Sequence, residues 1–246
     1  MSPEPFDHQA QFYADYRPIY PEEMYRFIFS HLKRRQFAWD CATGSGQIAR
    51  YLSDHFEAVD ANDISSGQLR HAVQKKNISY TLCSVYETPY PEHRFDLIIV
   101  GQAIHWFDFT GFYKEVKRVA RESALLAVIG YGRLQMNDDI DPILNKLYAD
   151  AFESYFSTPR SYLDNEYRSI PFPFDEIPAP ELTIPVRWTL DHLKGYVNSW
   201  SAIQRFKDEH GSSPADQALK ELEAIVGGSS LEGQFPLYMR LGRVDS

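Results

Sequence analysis

The sequence predicts an α/β protein in which a mostly parallel sheet is doubly wound, with helices on both faces. Three observations carry this. Short apolar runs alternate with amphipathic helical stretches from residue 22 to residue 129, the pattern of repeated βα units. The run Phe95-Asp96-Leu97-Ile98-Ile99-Val100 is apolar almost throughout, as a strand buried on both faces must be. The first apolar run ends in Thr43-Gly44-Ser45-Gly46, a turn that can feed a helix directly.

Taken in order, Pro21 suits the first position of a helix, with Glu22 and Glu23 in its first turn. Met24, Phe27, Ile28, His31 and Leu32 follow at helical spacing. Phe37–Ala42 is the first strand, and the next helix turns Ile48, Ala49 and Leu52 inward. A strand over Glu57–Asp60, a turn containing Asp63 and a helix over Ser66–Lys76 come next. Ser79–Cys83 reads as a strand, and the loop after it holds Pro89 and Pro91. After the strand at Phe95, a helix over 109–121 gathers Phe109, Phe112, Tyr113, Val116, Val119 and Ala120 on one face. Ala124–Ile129 is another buried strand.

The pattern then changes. Residues 134–182 are interrupted by Pro142, Pro159, Pro171, Pro173, Pro178 and Pro180, which suits an insertion better than another βα unit. Ile184–Leu190 is a strand, helices follow at about 191–208 and 214–226, and Phe235–Leu241 is a final strand. Ser213 as N-cap, Pro214 at the first position and Gly227 past the end delimit the last helix. The chain thus divides, within one structural domain, into a lid and first helix at 1–36, a core at 37–133, a helical cap at 134–183 and a segment completing the sheet at 184–246.

Bulk properties narrow the function. The 246 residues are 43% hydrophobic and 15% aromatic, ample for one packed core, and the formal net charge is −9. An acidic chain whose longest basic run is Lys33-Arg34-Arg35 lacks the footprint for tracking phosphates, so nucleic acid is not the expected partner. Cys41 and Cys83 are too few for a disulfide framework, and the eight histidines have no ligand spacing, so no metal is expected. Met1–Asp7 lacks the apolar core of a signal peptide, and no run approaches the ~20 apolar residues of a membrane span. A cytoplasmic protein, monomer or homodimer, is expected, with no membrane partner.

Strand, then Gly44-Ser45-Gly46-Gln47-Ile48-Ala49, then helix matches the mononucleotide-binding design, in which glycine lets a ligand approach the backbone. That spacing is shared by several nucleotide-binding classes, and a bare βα turn also fits it. Asp63, 19 residues after Gly44 and at the end of the second strand, adds weight, because a carboxylate there can accept hydrogen bonds from both ribose hydroxyls. Asp60 competes for that role, and Asp63 could instead cap the next helix, as could Ser65.

With these residues in view, the chain resembles class I methyltransferases that use S-adenosylmethionine. Within them it resembles the type 11 group and its trans-aconitate methyltransferase-like branch. The resemblance rests on Tyr16-Arg17-Pro18-Ile19-Tyr20-Pro21, Asp40–Gln47, Asp63-Ile64-Ser65 and Gln102-Ala103-Ile104-His105-Trp106-Phe107-Asp108, with Ser199-Trp200-Ser201 and Leu241-Gly242-Arg243 later. It implies a Rossmann-like, seven-stranded sheet with the last strand antiparallel, and a cofactor core at 37–133. It also implies that Asp40, Ala42, Gly44, Gly46 and Gln47 border the methionine part of S-adenosylmethionine and that Asp63 and Ile64 meet the ribose. Ser84 and Val85 would flank the adenine, and Gln102 would line the floor near the sulfonium. Val85-Tyr86 stands where such sequences often carry an Ala-Glu pair, which leaves the adenine contact to backbone groups or a stacked Tyr86.

Methyl transfer from a sulfonium needs positioning above all, worth roughly 7–11 kcal/mol in favourable cases. A base is needed only where the acceptor carries a proton to lose. His105 is the candidate base by type and place, against a role in packing over the cofactor. Tyr13, Tyr16 and Arg17 can form a lid, the rings over the sulfonium and Arg17 on a carboxylate. Tyr155, Phe156, Arg160, Tyr162, Tyr167, Arg168, Trp188 and Trp200 line the cap or form its core. The function expected is methyl transfer to a small molecule, with O-methylation of a carboxylic acid as one form. A nicotinamide-dependent oxidoreductase of similar fold, or a cofactor-binding protein without catalysis, are the alternatives.

Overall fold

The computed structural model describes residues 16–152, 160–213, 215–226 and 230–244. Tyr13, Tyr155, Phe156, Pro214, Gly227 and the part of the expected lid before residue 16 lie outside the described residues. In chain order the elements are α1 (Glu22–Ser30), β1 (Phe37–Cys41), α2 (Gln47–Leu52), β2 (Ala58–Asp63), α3 (Ser66–Arg70), β3 (Ile78–Leu82) and β4 (Phe95–Gly101). A 3₁₀ turn at Ile104–Trp106 leads to α4 (Phe109–Val119) and β5 (Ala120–Tyr131). Then come α5 (Asp141–Phe152), α6 (Arg160–Asp164), β6 (Asp175–Ile177), β7 (Leu182–Trp188), α7 (Leu190–Asn198), α8 (Ser201–His210), α9 (Ala215–Val226) and β8 (Leu231–Arg243).

The strands form one sheet in the order β3-β2-β1-β4-β5-β8-β6, with β7 also paired to β8. β3, β2, β1, β4 and β5 are mutually parallel, and β8 runs antiparallel to β5. Alternation along the strands divides the core. Ala38, Leu97, Ile99, Leu125, Ala127 and Ile129 pack under α1, α2 and the carboxyl-terminal helices. Trp39, Cys41, Ile98, Val100, Leu126 and Val128 pack under α4 with Phe112, Val116 and Val119. Both faces are covered, which is why β4 has no polar–apolar alternation.

The doubly wound fold and its antiparallel last strand agree with the sequence reading, while the strand count and several element bounds differ. The sheet has eight strands, not seven, because Asp175–Ile177, within the segment expected to be helical, pairs with Leu241–Arg243. β2 reaches Asp63 instead of stopping at Asp60, since parallel pairing with β3 continues to Asp63 and Leu82. The helix after it ends at Arg70, short of Lys76. The expected helix at 191–208 is two, because Trp200 adopts an extended backbone at the start of α8 and its ring packs edge-on against Tyr148 and Tyr196. Among the described residues no helix is long and apolar enough to cross a membrane.

Candidate functional site

The carboxyl ends of β1, β2 and β4 meet at the glycine turn. Asn62, in β2, ties β1 to the residue that follows β3. Its Oδ1 accepts from Trp39 Nε1 at 2.7 Å, and its Nδ2 donates to Cys83 O at 3.0 Å. In the turn Gly44 and Gly46 have φ of 57° and 80°, left-handed values that favour glycine. A side chain at Gly46 would also run into the hydroxyl of Tyr80, whose OH donates to Val73 O at 2.8 Å. Ala42 takes a φ of 54° without being glycine, a conformation that costs an L-residue about 1–2 kcal/mol.

Two carboxyl groups brace this turn. Asp63 Oδ2 accepts from Gly44 N at 2.8 Å, and Oδ1 from Ser65 N at 2.8 Å. Asp63 is only partly buried, at the end of β2, and a carboxylate has about four acceptor positions, so it can serve a further donor. Asp60, the competing candidate, is bonded by Arg94 Nε at 2.6 Å. Arg94 lies over the ring of Phe37, the first residue of β1, so this pair sits toward the other end of the strands. Asp40 is 1% exposed, and its Oδ2 accepts from Thr43 Oγ1 at 2.5 Å and Ala49 N at 2.8 Å. Burial pushes its carboxyl up to about 7; those two bonds oppose the rise, and the charge of Asp63 adds to it.

Beside Asp63 the edge is apolar. Ile64 and Leu82 are each 58% exposed, and Leu82 stands opposite Asp63 in the β2–β3 register. A carboxylate flanked by exposed aliphatic side chains suits a nucleoside, ribose on the acid and base on the hydrocarbon. Leu82 was missed in the sequence; the signal is an apolar residue at a solvent position of a strand. Val85 is buried in the core beneath α4, so only its backbone is available to a ligand. Ser84 Oγ accepts from Tyr86 N at 3.3 Å. Tyr86 is committed elsewhere, its hydroxyl accepting from Asp108 N at 2.9 Å at the start of α4.

Residues 16–20 strap the crevice. The Tyr16 ring lies against Gly195 of α7, where no Cβ fits, and edge-on to His192 at 5.2 Å. Arg17 donates to Tyr131 OH and Ser199 O, each at 3.4 Å, with its guanidinium 5.7 Å from the Tyr196 ring centre. Pro18 O accepts from Gln47 Nε2 at 3.1 Å. The strap therefore links α7, the end of β5 and the glycine turn. His105 is 8% exposed, and its Nδ1 lies 2.9 Å from the hydroxyl of fully buried Tyr167. Gln102 has a φ of 54°, and its Nε2 donates to Tyr131 O at 3.2 Å. That carbonyl can only accept, which fixes the amide orientation. Gln102 Oε1 is then a buried acceptor with no partner among the described residues.

Comparison with known proteins bears on the family. The model of the methyltransferase domain family matches residues 39–128, from β1 into β5. A Dictyostelium discoideum protein described as a candidate methyltransferase is 31% identical over 240 residues, 94% of this chain and 91% of its own. An uncharacterized methyltransferase of Schizosaccharomyces pombe is 23% identical over 222 residues, 87% of this chain and 84% of its own. The solved structure of a candidate type II methyltransferase from Anaeromyxobacter dehalogenans superposes with a TM-score of 0.85 at 32% identity. It covers 93% of this chain and 98% of that one.

Proposed function

Since the chain belongs to the methyltransferase family, we propose that it transfers a methyl group from S-adenosylmethionine to a small molecule in the cytoplasm. The observation that carries the reading is the glycine turn joined to Asp63, with Ile64 and Leu82 exposed beside it. The family match sets aside the oxidoreductase alternative. The residues present suit the cofactor. Asp63 would take ribose hydroxyls and Ile64 with Leu82 the base. The backbone around Ala42, Gly44 and Gly46, with Asp40 and Gln47, would border the methionine end. The orphan Gln102 Oε1 would accept from its ammonium group, and Ser84 with the Val85 backbone would close the adenine side.

When bound, the cofactor supplies an electrophilic methyl on a sulfonium. The protein's part is to hold an acceptor in line with it. Arg17 and Tyr131 stand together at the end of β5, and a guanidinium there suits an acceptor carboxylate. A carboxylate needs no base, consistent with a His105 held against Tyr167. The acceptor we favour is therefore a small carboxylic acid, as in the trans-aconitate methyltransferase-like branch, with Tyr16 and Arg17 as lid and His105 as a positioning residue. Calorimetry with S-adenosylhomocysteine and with NADH tests the donor, and lack of binding by the former refutes the proposal. Methyl transfer to a panel of carboxylic acids, phenols and amines tests the acceptor. Turnover only with amines would remove the carboxylic acid, and cofactor binding without any turnover would favour a non-catalytic role.

A further inference from the structure

Gln68 lies on α3, immediately after the Asp63 turn, and is 6% exposed. Its backbone N–H is used by Ser65 Oγ at 3.1 Å, but its side-chain Oε1 is buried and has no partner among the described residues. That oxygen lies 3.7 Å from where a side chain on Gly44 would begin. Gly44 is the residue whose N–H is held by Asp63. The Gln68 amide and the Asp63 carboxylate thus flank one residue of the glycine turn.

A buried, unpartnered amide oxygen destabilises the fold, because it has given up its hydrogen bonds to water and gained none in return. Methionine or leucine would fill the same space on a five-residue helix without that cost. A polar group kept at such a position calls for a partner from outside the protein. We propose that Gln68 is a cofactor-binding residue, its side-chain amide meeting one of the nucleoside hydroxyls while the Asp63 carboxylate takes the other. Hydroxyl is the chemistry that fits. The two ends of a glutamine amide exchange places by rotation, and a hydroxyl can donate to the oxygen or accept from the nitrogen. The inference rests on the cofactor assigned above and adds a residue to its ribose site.

The test is Gln68→Met, read by thermal melting without ligand and by calorimetric titration with S-adenosylhomocysteine and its 2′-deoxy and 3′-deoxy forms. A ligand role predicts opposite signs. The melting temperature rises by about 2–4 °C, the size of shift expected when one buried unpaired polar group is removed from a chain of this size. Affinity for S-adenosylhomocysteine falls about tenfold, and one deoxy form binds both proteins alike. Unchanged affinity overturns the proposal, as does a loss that persists with both deoxy forms. A lower melting temperature with intact affinity assigns Gln68 to the core. If the wild-type protein takes up no S-adenosylhomocysteine, the cofactor reading fails first and this inference falls with it.

Discussion

Asp40→Asn should change the stability of the protein with opposite sign at acid and alkaline pH. The carboxyl is fully enclosed, and its pKa rises from 3.8 to about 7, with burial as the leading cause. At acid pH the folded and unfolded chains both keep the proton, and nothing is lost. From about pH 4 to about 7 the unfolded chain gives it up first, so stability falls as pH rises. Above that window the loss is complete, and at 1.36 kcal/mol per pH unit it amounts to about 4 kcal/mol. Asparagine keeps an acceptor oxygen for Thr43 Oγ1 and Ala49 N but brings amide hydrogens into a buried space, a cost of about 1–3 kcal/mol. Urea titrations should therefore find the variant about 1–3 kcal/mol less stable than wild type at pH 3.5 and more stable by a similar amount at pH 8.5. A difference that is the same at both pH values would refute a protonated Asp40.

Four further outcomes are expected. Ala42→Gly, which relieves the left-handed alanine, should raise the urea midpoint by about 1 kcal/mol in stability; a decrease would show that the methyl group packs usefully. Asp63→Ala should weaken S-adenosylhomocysteine at least about tenfold in calorimetry, since the turn loses its anchor at Gly44 N as well as a ribose acceptor; full retention would contradict the site. Gly195→Ala places a Cβ in the Tyr16 ring and should make the amino-terminal strap more sensitive to limited proteolysis; an unchanged digestion pattern argues against the docking. Tyr167→Phe removes the hydroxyl beside His105 and should cost about 1 kcal/mol in denaturant titration while leaving S-adenosylhomocysteine affinity intact.

Asp63 was singled out in the sequence by its 19-residue spacing from Gly44 and by Asp63-Ile64-Ser65 leading into the next helix, although the strand was read as ending at Asp60. Trp39 to Val128 was legible as βα units because both faces of the sheet are buried, so its strands are simple apolar runs. β6 was not, since three residues between prolines carry no period; it is held by Arg240, whose guanidinium grips the Glu176 carboxylate with bonds of 2.7 Å. The break at Trp200 lacks a glycine or proline and follows from ring packing among Tyr148, Tyr196 and Trp200. Leu82 and Gln68 escaped for a similar reason. A leucine reads as core and a glutamine as surface, and only the fold reverses both. His105 was visible by type, while its partner Tyr167 stands 62 residues away.

The way β8 is covered bears on solubility in crowded conditions. A strand of 13 residues with one bare side would offer a long row of backbone groups to any passing chain. Here that side is divided between β6 and β7, of three and seven residues, and β7 carries Pro185 at its centre, where a ladder donor is missing. The outermost edge is thus short, interrupted and a poor template for added strands. An acidic surface discourages approach further. Two brief strands so cover one side of the longest one and blunt its capacity to template aggregation.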